Sequence, residues 1–248
     1  MKFKLITCEI FYREFNTAVA RSPHKVDIEF LPKGLHDIGT AEMRNRLQNA
    51  VDRVETSAYD AILIGYGLCN NGIVGLTSRA MPLVIPRAHD CITLFLGSKE
   101  RYLDYFQNNP GVYFQTTGWL ERGEVNGELS QLGIGQKLKI KQSFDDLVAR
   151  YGEENARYLW EQIGSLERNY HKMTFIEMGI EPDGSFERLA AEKAHARSWE
   201  YEKVRGDMGM FYRLVNGIWS EREFLVVPPG GRAAPTYDDK IIALEKNS

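Results

Sequence analysis

The stretch that decides the fold is YDAILIGYGLCNNGIVGLTSRAMPLVIPRAHDCITLFLGS, residues 59–98. It contains two short apolar runs, AILIG at 61–65 and a second run at 81–85, and neither run has a helical period. Apolar runs of this length that are bounded by turn residues are typical of strands buried on both faces of a parallel sheet. We therefore predict strand, glycine-rich turn, short helix, strand, polar turn and helix along this stretch.

The three cysteines of the chain all follow predicted strands. Cys8 lies near the end of the first strand, at 2–10, and Cys69 and Cys91 lie just past the two strands of the deciding stretch. A flavodoxin-like strand order places strands one, three and four side by side, and ligands bind where such an order reverses. We therefore expect three thiols at one sheet edge. Two alternatives stay open: a lone cysteine is often only a small buried apolar residue, and two of the thiols could form a disulfide, which would leave the third unpaired.

These residue types predict a metal centre with Cys8, Cys69 and Cys91 as ligands, because thiolates suit soft or borderline metals. His89 stands two residues before Cys91, and in an extended segment the two side chains point the same way. Zinc, with His89 as fourth ligand or close neighbour, is the preferred cofactor. The alternative is a [4Fe–4S] cluster on three cysteines with one iron open to substrate. The helix after Cys91 is expected to lower the thiol pKa through its dipole.

Other polar and glycine residues near the strand ends complete the predicted site. The candidate general acids and bases are Glu9, His36 and Asp90. The candidate cofactor-binding residues are Gly65, Tyr66, Gly67 and Asn70. The glycine spacing fits neither the dinucleotide fingerprint nor a P-loop, so a nucleotide site is disfavoured.

The rest of the chain continues the alternation of strands and helices. Residues 25–31 and 112–116 predict two further strands of the first half, and the second half adds strands at 173–178, 199–204 and 223–227. Such alternation indicates parallel sheets with covering helices. We predict an α/β fold with two Rossmann-like, doubly wound lobes, 1–140 with the metal site and 141–248, and a cleft between them.

Composition excludes several classes of protein. The net charge of −3 gives no basic footprint, so a nucleic-acid partner is not expected. No stretch approaches the length of an apolar membrane span, so we expect no membrane association. The N-terminus enters a strand without a signal peptide, which predicts a cytoplasmic protein with reduced thiols.

Several motifs together resemble one family, DUF1638 of bacteria and archaea: CE at 8–9, LPxGLH at 31–36, IGYGLCNNGIVGL at 64–76, PRAHDCITLFLGS at 86–98, GVYFQTTGW at 111–119 and VVPPG at 226–230. The family name records that its function was not assigned. The resemblance implies a setting of corrinoid-dependent methyl transfer, and zinc methyltransferases that act with corrinoids use a similar ligand set of His-x-Cys and a distant Cys.

We therefore expect a metal-dependent enzyme that acts on a small molecule, with zinc-dependent methyl transfer in corrinoid or one-carbon metabolism as the first hypothesis and a corrinoid protein as a candidate partner. A [4Fe–4S] desulfidase or lyase is the second hypothesis. A non-catalytic carrier or chaperone for a metal or corrinoid is the third.

Overall fold

A computed structural model describes residues 1–69, 71–122, 148, 152–153, 155–157, 170–236 and 238–245. The strands are β1 Lys2–Cys8, β2 Lys25–Leu31, β3 Ala61–Gly65, β4 Leu83–Pro86, β5 Val112–Gln115, β6 Lys172–Glu177, β7 Glu200–Arg205, β8 Phe224–Val227, β9 Ala233–Pro235 and β10 Ile242–Leu244. The α-helices are α1 Tyr12–Ala20, α2 Thr40–Asp52, α3 Cys91–Leu96, α4 Lys99–Asn108, α5 Thr117–Glu121, α6 Ser185–Ala196 and α7 Gly209–Val215. Short 3-10 helices cover Glu9–Phe11 and Lys33–Ile38.

The central sheet has five strands in the order β2-β1-β3-β4-β8. The first four are parallel, and β8 runs antiparallel beside β4. Every residue of β3 and of β4 is buried, as expected for strands covered on both faces. The mixed α/β class is confirmed, and so is the predicted neighbourhood of strands one, three and four.

A second sheet has three parallel strands in the order β5-β6-β7. The sequence places β5 with the first half of the chain and β8 with the second half. In the structure β5 instead pairs with β6, and β8 pairs with β4. Each of the two sheets therefore contains strands from both sides of the boundary predicted at residue 140. The hairpin of β9 and β10, which was not predicted, follows β8.

An aromatic cluster in the core ties the central sheet to its covering helices. The rings of Phe11 and Phe95 have their centroids 4.9 Å apart, and those of Phe15 and Phe211 are 5.1 Å apart. All four side chains are buried. Burial of large apolar side chains contributes about 2 kcal/mol each to stability, so this cluster fixes α1, α3 and α7 beside the sheet.

Three local predictions differ from the structure. The sequence after Cys91 predicts one helix over 92–108, whereas the structure has two helices there, because Gly97 takes a left-handed φ of 83° and Ser98 caps α4. The amphipathic pattern at 40–54 predicts a helix with Thr40 as its N-cap, but Gly39 holds that position and Thr40 is the first helical residue of α2. Between β3 and β4 the described residues form turns rather than a short helix.

Ser143-Phe144-Asp145-Asp146 resembles a capping box and predicts a long helix to about Glu167, which lies mostly outside the described residues. Within the part of the chain that the structure describes, no helix is both long and apolar enough to cross a bilayer.

Candidate functional site

The loops after β3 and β4 are joined to each other at the carboxyl edge of the central sheet. The backbone N–H of Leu68 donates to the carbonyl of Ala88 at 2.9 Å, and that of Cys69 donates to the carbonyl of His89 at 3.2 Å. After β1 the chain turns into a 3-10 helix directly behind Cys8. These connections bring the segments that carry the three cysteines to one edge, at the point where the strand order reverses.

The three thiols share one buried environment. Cys8 is 6 % exposed, and Cys69 and Cys91 are half-buried. Burial raises the pKa of the Cys8 thiol to about 12, and the nearby Cys69 contributes in the same direction. Burial likewise raises the pKa of Cys69 to about 12. The thiols are therefore protonated at neutral pH unless a cation joins them.

The expected lowering of the Cys91 pKa by the helix dipole is wrong. Burial raises the pKa of Cys91 well above its usual range, and the neighbouring Cys69, Asp90 and Cys8 add to this effect. Burial is the main cause, and the N-terminus of α3 gives no compensation because it already binds a carboxylate. The side chain of Asp90 accepts the backbone N–H groups of Ile92 and Thr93 at 2.9 and 3.2 Å, which leaves a negative charge beside the thiol.

Cys69 stands in a left-handed backbone conformation with a φ of 43°, followed by Asn71 with a φ of 63°. A non-glycine residue in this region costs about 1 kcal/mol or more. Such conformations persist where the surroundings hold them, and they are enriched at ligand sites. Here the hydrogen bond from Cys69 to His89 provides that restraint.

Tyr66 places a hydroxyl group among the thiols. The residue is 3 % exposed, and its buried hydroxyl makes no hydrogen bond of ordinary geometry to the described part of the protein, where its only neighbouring partner is the weakly accepting thiol of Cys8. Burial raises the pKa of Tyr66 well above its usual range, and nearby Cys8, Cys69 and Glu9 raise it further. Since buried polar groups are nearly always paired, this hydroxyl indicates a place for a ligand or an ordered water.

Lys33 is a component of the site that the sequence reasoning missed. Its side chain is buried, its Nζ donates to the Trp119 carbonyl at 3.4 Å, and Nζ lies 5.5 Å from the centre of the Trp119 ring. Burial lowers the pKa of Lys33, whereas the charges of Glu9 and Cys8 raise it. Its position is the unspecified x of LPxGLH, between proline and glycine, and this pattern gives no sign that the lysine is buried.

Glu9 and Trp119 complete this side of the site. The Glu9 carboxylate accepts the backbone N–H of Lys33 at 3.0 Å. The Trp119 side chain offers a hydrogen bond to Cys91, which opposes the rise of that thiol's pKa. Trp119 lies in α5, and the preceding Gly118 packs so tightly that an added Cβ would lie 1.7 Å from the Ile10 carbonyl oxygen. The helix α5, which directly follows β5 of the second sheet, thereby lies beside the thiols at the edge of the central sheet.

A family model described as "Protein of unknown function (DUF1638)" matches residues 30–215. The chain belongs to the DUF1638 family. The match contains Cys69, Cys91, Tyr66 and Lys33, whereas Cys8 and Glu9 precede it. No curated protein and no solved structure shows significant similarity to the chain.

Two predicted residues of this DUF1638 chain, His89 and His36, each contact a neighbouring aromatic side chain. His89 is exposed, and its ring stacks on Tyr102 with the centroids 5.6 Å apart. His36 places Nε2 3.1 Å from the Asp37 carboxylate and packs its ring edge-on against Trp119. Asp90, between His89 and Cys91, is extended, with a φ of −157° and a ψ of −173°, and Cys91 is the first residue of α3. His89 is exposed, whereas Cys91 is half-buried.

Asp90 has a clear structural task in addition to its predicted catalytic one. One carboxylate oxygen caps α3, and the other accepts the Tyr102 hydroxyl at 2.9 Å. Burial raises the pKa of Asp90 despite these hydrogen bonds. Three hydrogen-bond donors thus fix the Asp90 carboxylate, and this cap fixes the start of the helix at Cys91.

Packing explains two of the four residues predicted to bind a cofactor. A Cβ at Gly65 would lie 2.2 Å from Oγ1 of Thr7, and a Cβ at Gly67 would lie 2.8 Å from the Asp90 backbone. Glycine is required at both positions by the protein itself. Tyr66 faces the thiols as described above, and Asn70 lies outside the described residues.

Among the described residues, no group of three or more His, Cys, Asp or Glu side chains is arranged to hold a metal ion. The thiols are near enough to influence one another's protonation, yet they are not gathered around one point. The donor types nevertheless suit a thiolate-bound metal.

Proposed function

We propose that this protein is a metal-dependent enzyme that acts on a small molecule, with Cys8, Cys69 and Cys91 as the ligands of its centre. One observation carries the proposal. Three thiols that follow three adjacent parallel strands share one buried edge with the hydroxyl of Tyr66, whose only neighbouring partner is the Cys8 thiol. Ligands bind to doubly wound sheets at this edge.

The protonated state of the thiols is compatible with this role. Metal binding displaces protons from cysteine, so a raised thiol pKa makes the affinity depend on pH without abolishing it. Three buried thiols with raised pKa values are poorly suited to a nucleophilic role, because reactive cysteines generally carry lowered pKa values. The arrangement therefore favours a bound soft cation over a nucleophilic thiol.

The first form of the proposal is a zinc enzyme that transfers methyl groups, with a corrinoid protein as its partner. Its support is the resemblance of the ligand types to corrinoid-linked methyltransferases. A bound zinc ion would supply Lewis acidity and lower the pKa of a thiol or water bound to it. In this form His89 would have to leave Tyr102 to join the thiols.

The second form is a [4Fe–4S] enzyme of the desulfidase or lyase type, and two observations favour it. His89 stacks on Tyr102 at the surface, which leaves a three-cysteine donor set. The described donors also do not gather around one point. Zinc holds each thiolate at about 2.3 Å, so its sulfur ligands must lie within about 4 Å of each other, whereas each thiolate of a cluster binds a different iron.

The surrounding side chains have roles that are common to both forms. Lys33 would bring a positive charge to a centre rich in thiolates, with Glu9 fixing the start of the segment that carries it. The Tyr66 hydroxyl would donate a hydrogen bond to the bound substrate or hold its proton. The indole of Trp119 would wall the site and exclude water.

We further propose that substrate enters between the carboxyl ends of the two sheets, in the cleft expected between two Rossmann-like lobes. The contact of α5 with the thiol edge supports this route, because α5 directly follows β5 of the second sheet. A carrier function, in which the centre is held without turnover, remains an outcome of the test below.

The deciding experiment is purification without oxygen, followed by metal analysis and absorption spectroscopy of the parent and of His89→Ala. About one zinc per chain, reduced in the variant, supports the first form, and methyl transfer to thiols is then assayed. About four irons per chain with a broad thiolate-to-iron band, unchanged in the variant, support the second. Bound metal without turnover of any tested methyl or sulfur substrate indicates a carrier, and a metal-free parent contradicts the proposal.

A further inference from the structure

A polar groove lies between α2, the turn before β4 and the segment before β9. Its volume is about 210 Å³. The described residues that line it include no acidic side chain, and they are Arg44, Asn45, Gln48, Gly75, Thr77, Arg79 and Arg232. Three guanidinium groups in one small concavity are unusual in a chain with a net charge of −3. Clefts lined by charge of one sign concentrate ligands of the opposite sign.

Gly75 permits two of these arginines to approach each other. A Cβ built at Gly75 would lie 3.2 Å from Nη2 of Arg232 and 3.2 Å from Cδ of Arg44. Gly75 also has a φ of 86°, which other residues rarely adopt. The absence of a Cβ in this turn thus leaves room for both arginine side chains beside the same backbone position.

The carboxylates near the groove compensate only part of this charge. Arg79 forms a two-point pair with Asp52, at 2.8 and 2.9 Å, and both side chains are substantially exposed. Arg232 stands 3.6 Å from Glu245, and both are about half exposed. Arg44 has no hydrogen bond or ion pair with any residue that the structure describes. Exposed pairs contribute about 0–1 kcal/mol, so a bound anion can compete with them.

The walls of the groove are fixed before any ligand arrives. The Gln48 side chain donates to the Thr77 carbonyl at 3.1 Å and accepts the Thr77 N–H at 2.9 Å. The N–H of Gly75 donates to the Ala233 carbonyl at 2.8 Å, and Thr77 forms a bridge with Arg232. A rigid site loses little entropy on binding.

We propose that this groove binds phosphate, either as the free ion or as the phosphate group of a small metabolite. Guanidinium groups match the oxygens of phosphate with paired N–H donors. Three such groups offer more donors than one carboxylate can accept, and a phosphate group has three or four oxygens that can accept them. The groove is separate from the thiol centre, so this inference does not depend on the proposed function.

The test is isothermal titration calorimetry of the full chain with inorganic phosphate, at constant ionic strength set with sodium chloride. Arg44→Gln should weaken phosphate binding by about tenfold or more, the usual scale for a lost charge-assisted contact. Arg53→Gln is the matched control, because Arg53 is the exposed C-cap residue of the same helix and pairs with Glu29 outside the groove. Arg44→Lys should recover the binding only in part, since it keeps the charge and loses the planar fork.

Thermal unfolding of the variants checks that the fold is intact, which is expected because Arg44 has no described partner. A parallel titration with glycerol phosphate and AMP separates the two sources of the anion. Tighter binding of either ester than of inorganic phosphate identifies a phosphorylated metabolite, and equal or weaker binding identifies the free ion. The inference is overturned by an equal loss in Arg53→Gln and Arg44→Gln, or by no phosphate binding above the chloride background.

Discussion

The backbone N–H of Cys69 donates a hydrogen bond of 3.2 Å to the carbonyl oxygen of His89. Together with the bond from Leu68 to Ala88, it joins the loop after β3 to the loop after β4. His89 therefore contributes to the site through its backbone, while its ring lies on Tyr102. The position of Cys69 beside Cys91 depends on this junction rather than on the strands alone.

Gly67→Ala should disturb the junction selectively. An added Cβ would lie 2.8 Å from three backbone atoms of Asp90, which cannot rotate away. Forced overpacking of this kind costs about 1–3 kcal/mol, so we expect a loss of about 2 kcal/mol in the free energy of unfolding by urea, and a lower metal content. Gly184→Ala is the control, because there the Cβ would meet only the mobile end of Arg188 at 3.1 Å. Equal losses in both variants would contradict this view of the junction.

Tyr66→Phe separates a structural role of the hydroxyl from a ligand-binding role. Because the only neighbouring partner of the buried hydroxyl is the weakly accepting Cys8 thiol, its removal should leave the stability of the metal-free protein within about 1 kcal/mol of the parent. Turnover or substrate binding should fall if the hydroxyl serves the substrate. The measurements are urea unfolding of the metal-free protein and the assay that the metal analysis selects. A destabilised variant would instead show that the hydroxyl has a structural partner.

Glu14 should make stability depend on pH. Its side chain is buried in α1, one carboxylate oxygen lacks a partner, and burial raises its pKa to about 8, with Glu181 adding to the rise. Between the ordinary value of 4.5 and about 8, the folded state keeps a proton that the unfolded state has lost. This contribution is therefore fully favourable below pH 4.5 and is lost as the pH rises towards 8.

Glu14→Gln removes this dependence. Relative to the parent, its free energy of unfolding should rise by about 3 kcal/mol between pH 4.5 and pH 7, since each unit of pKa shift corresponds to about 1.4 kcal/mol. Urea unfolding at several pH values measures the difference. Glu192→Gln, at an exposed position of α6, is the control and should track the parent. A constant difference between Glu14→Gln and the parent would show that Glu14 is charged, or paired, in the folded protein.

The order of the central strands could be predicted because local patterns decide it. AILIG at 61–65 is apolar throughout, and short connections and right-handed crossovers leave few positions for the strands around it. The assignment of β5 to the second sheet and of β8 to the central sheet could not be predicted. Both are strands of only four residues, and their patterns fit the edge of either sheet. Only tertiary packing, such as the contact of Gly118 with Ile10, selects the partner.

The thiol positions could be predicted from their place after strands, whereas the geometry of the other candidates could not. Asp90 followed by an apolar helical run is an N-cap signal, and it implies that Cys91 is the first residue of a helix. Lys33 could not be recognised, because a lysine between turn residues usually faces solvent. Its burial depends on Trp119, which is 86 residues away in the chain.

Metal content per chain in anaerobically purified parent, Cys69→Ser and Cys91→Ser tests the central claim most directly. We predict bound zinc or iron in the parent and its loss in both variants, with thermal unfolding still cooperative. A parent without metal, together with two variants that fail to fold, would show that these cysteines are only part of the core and would contradict the account.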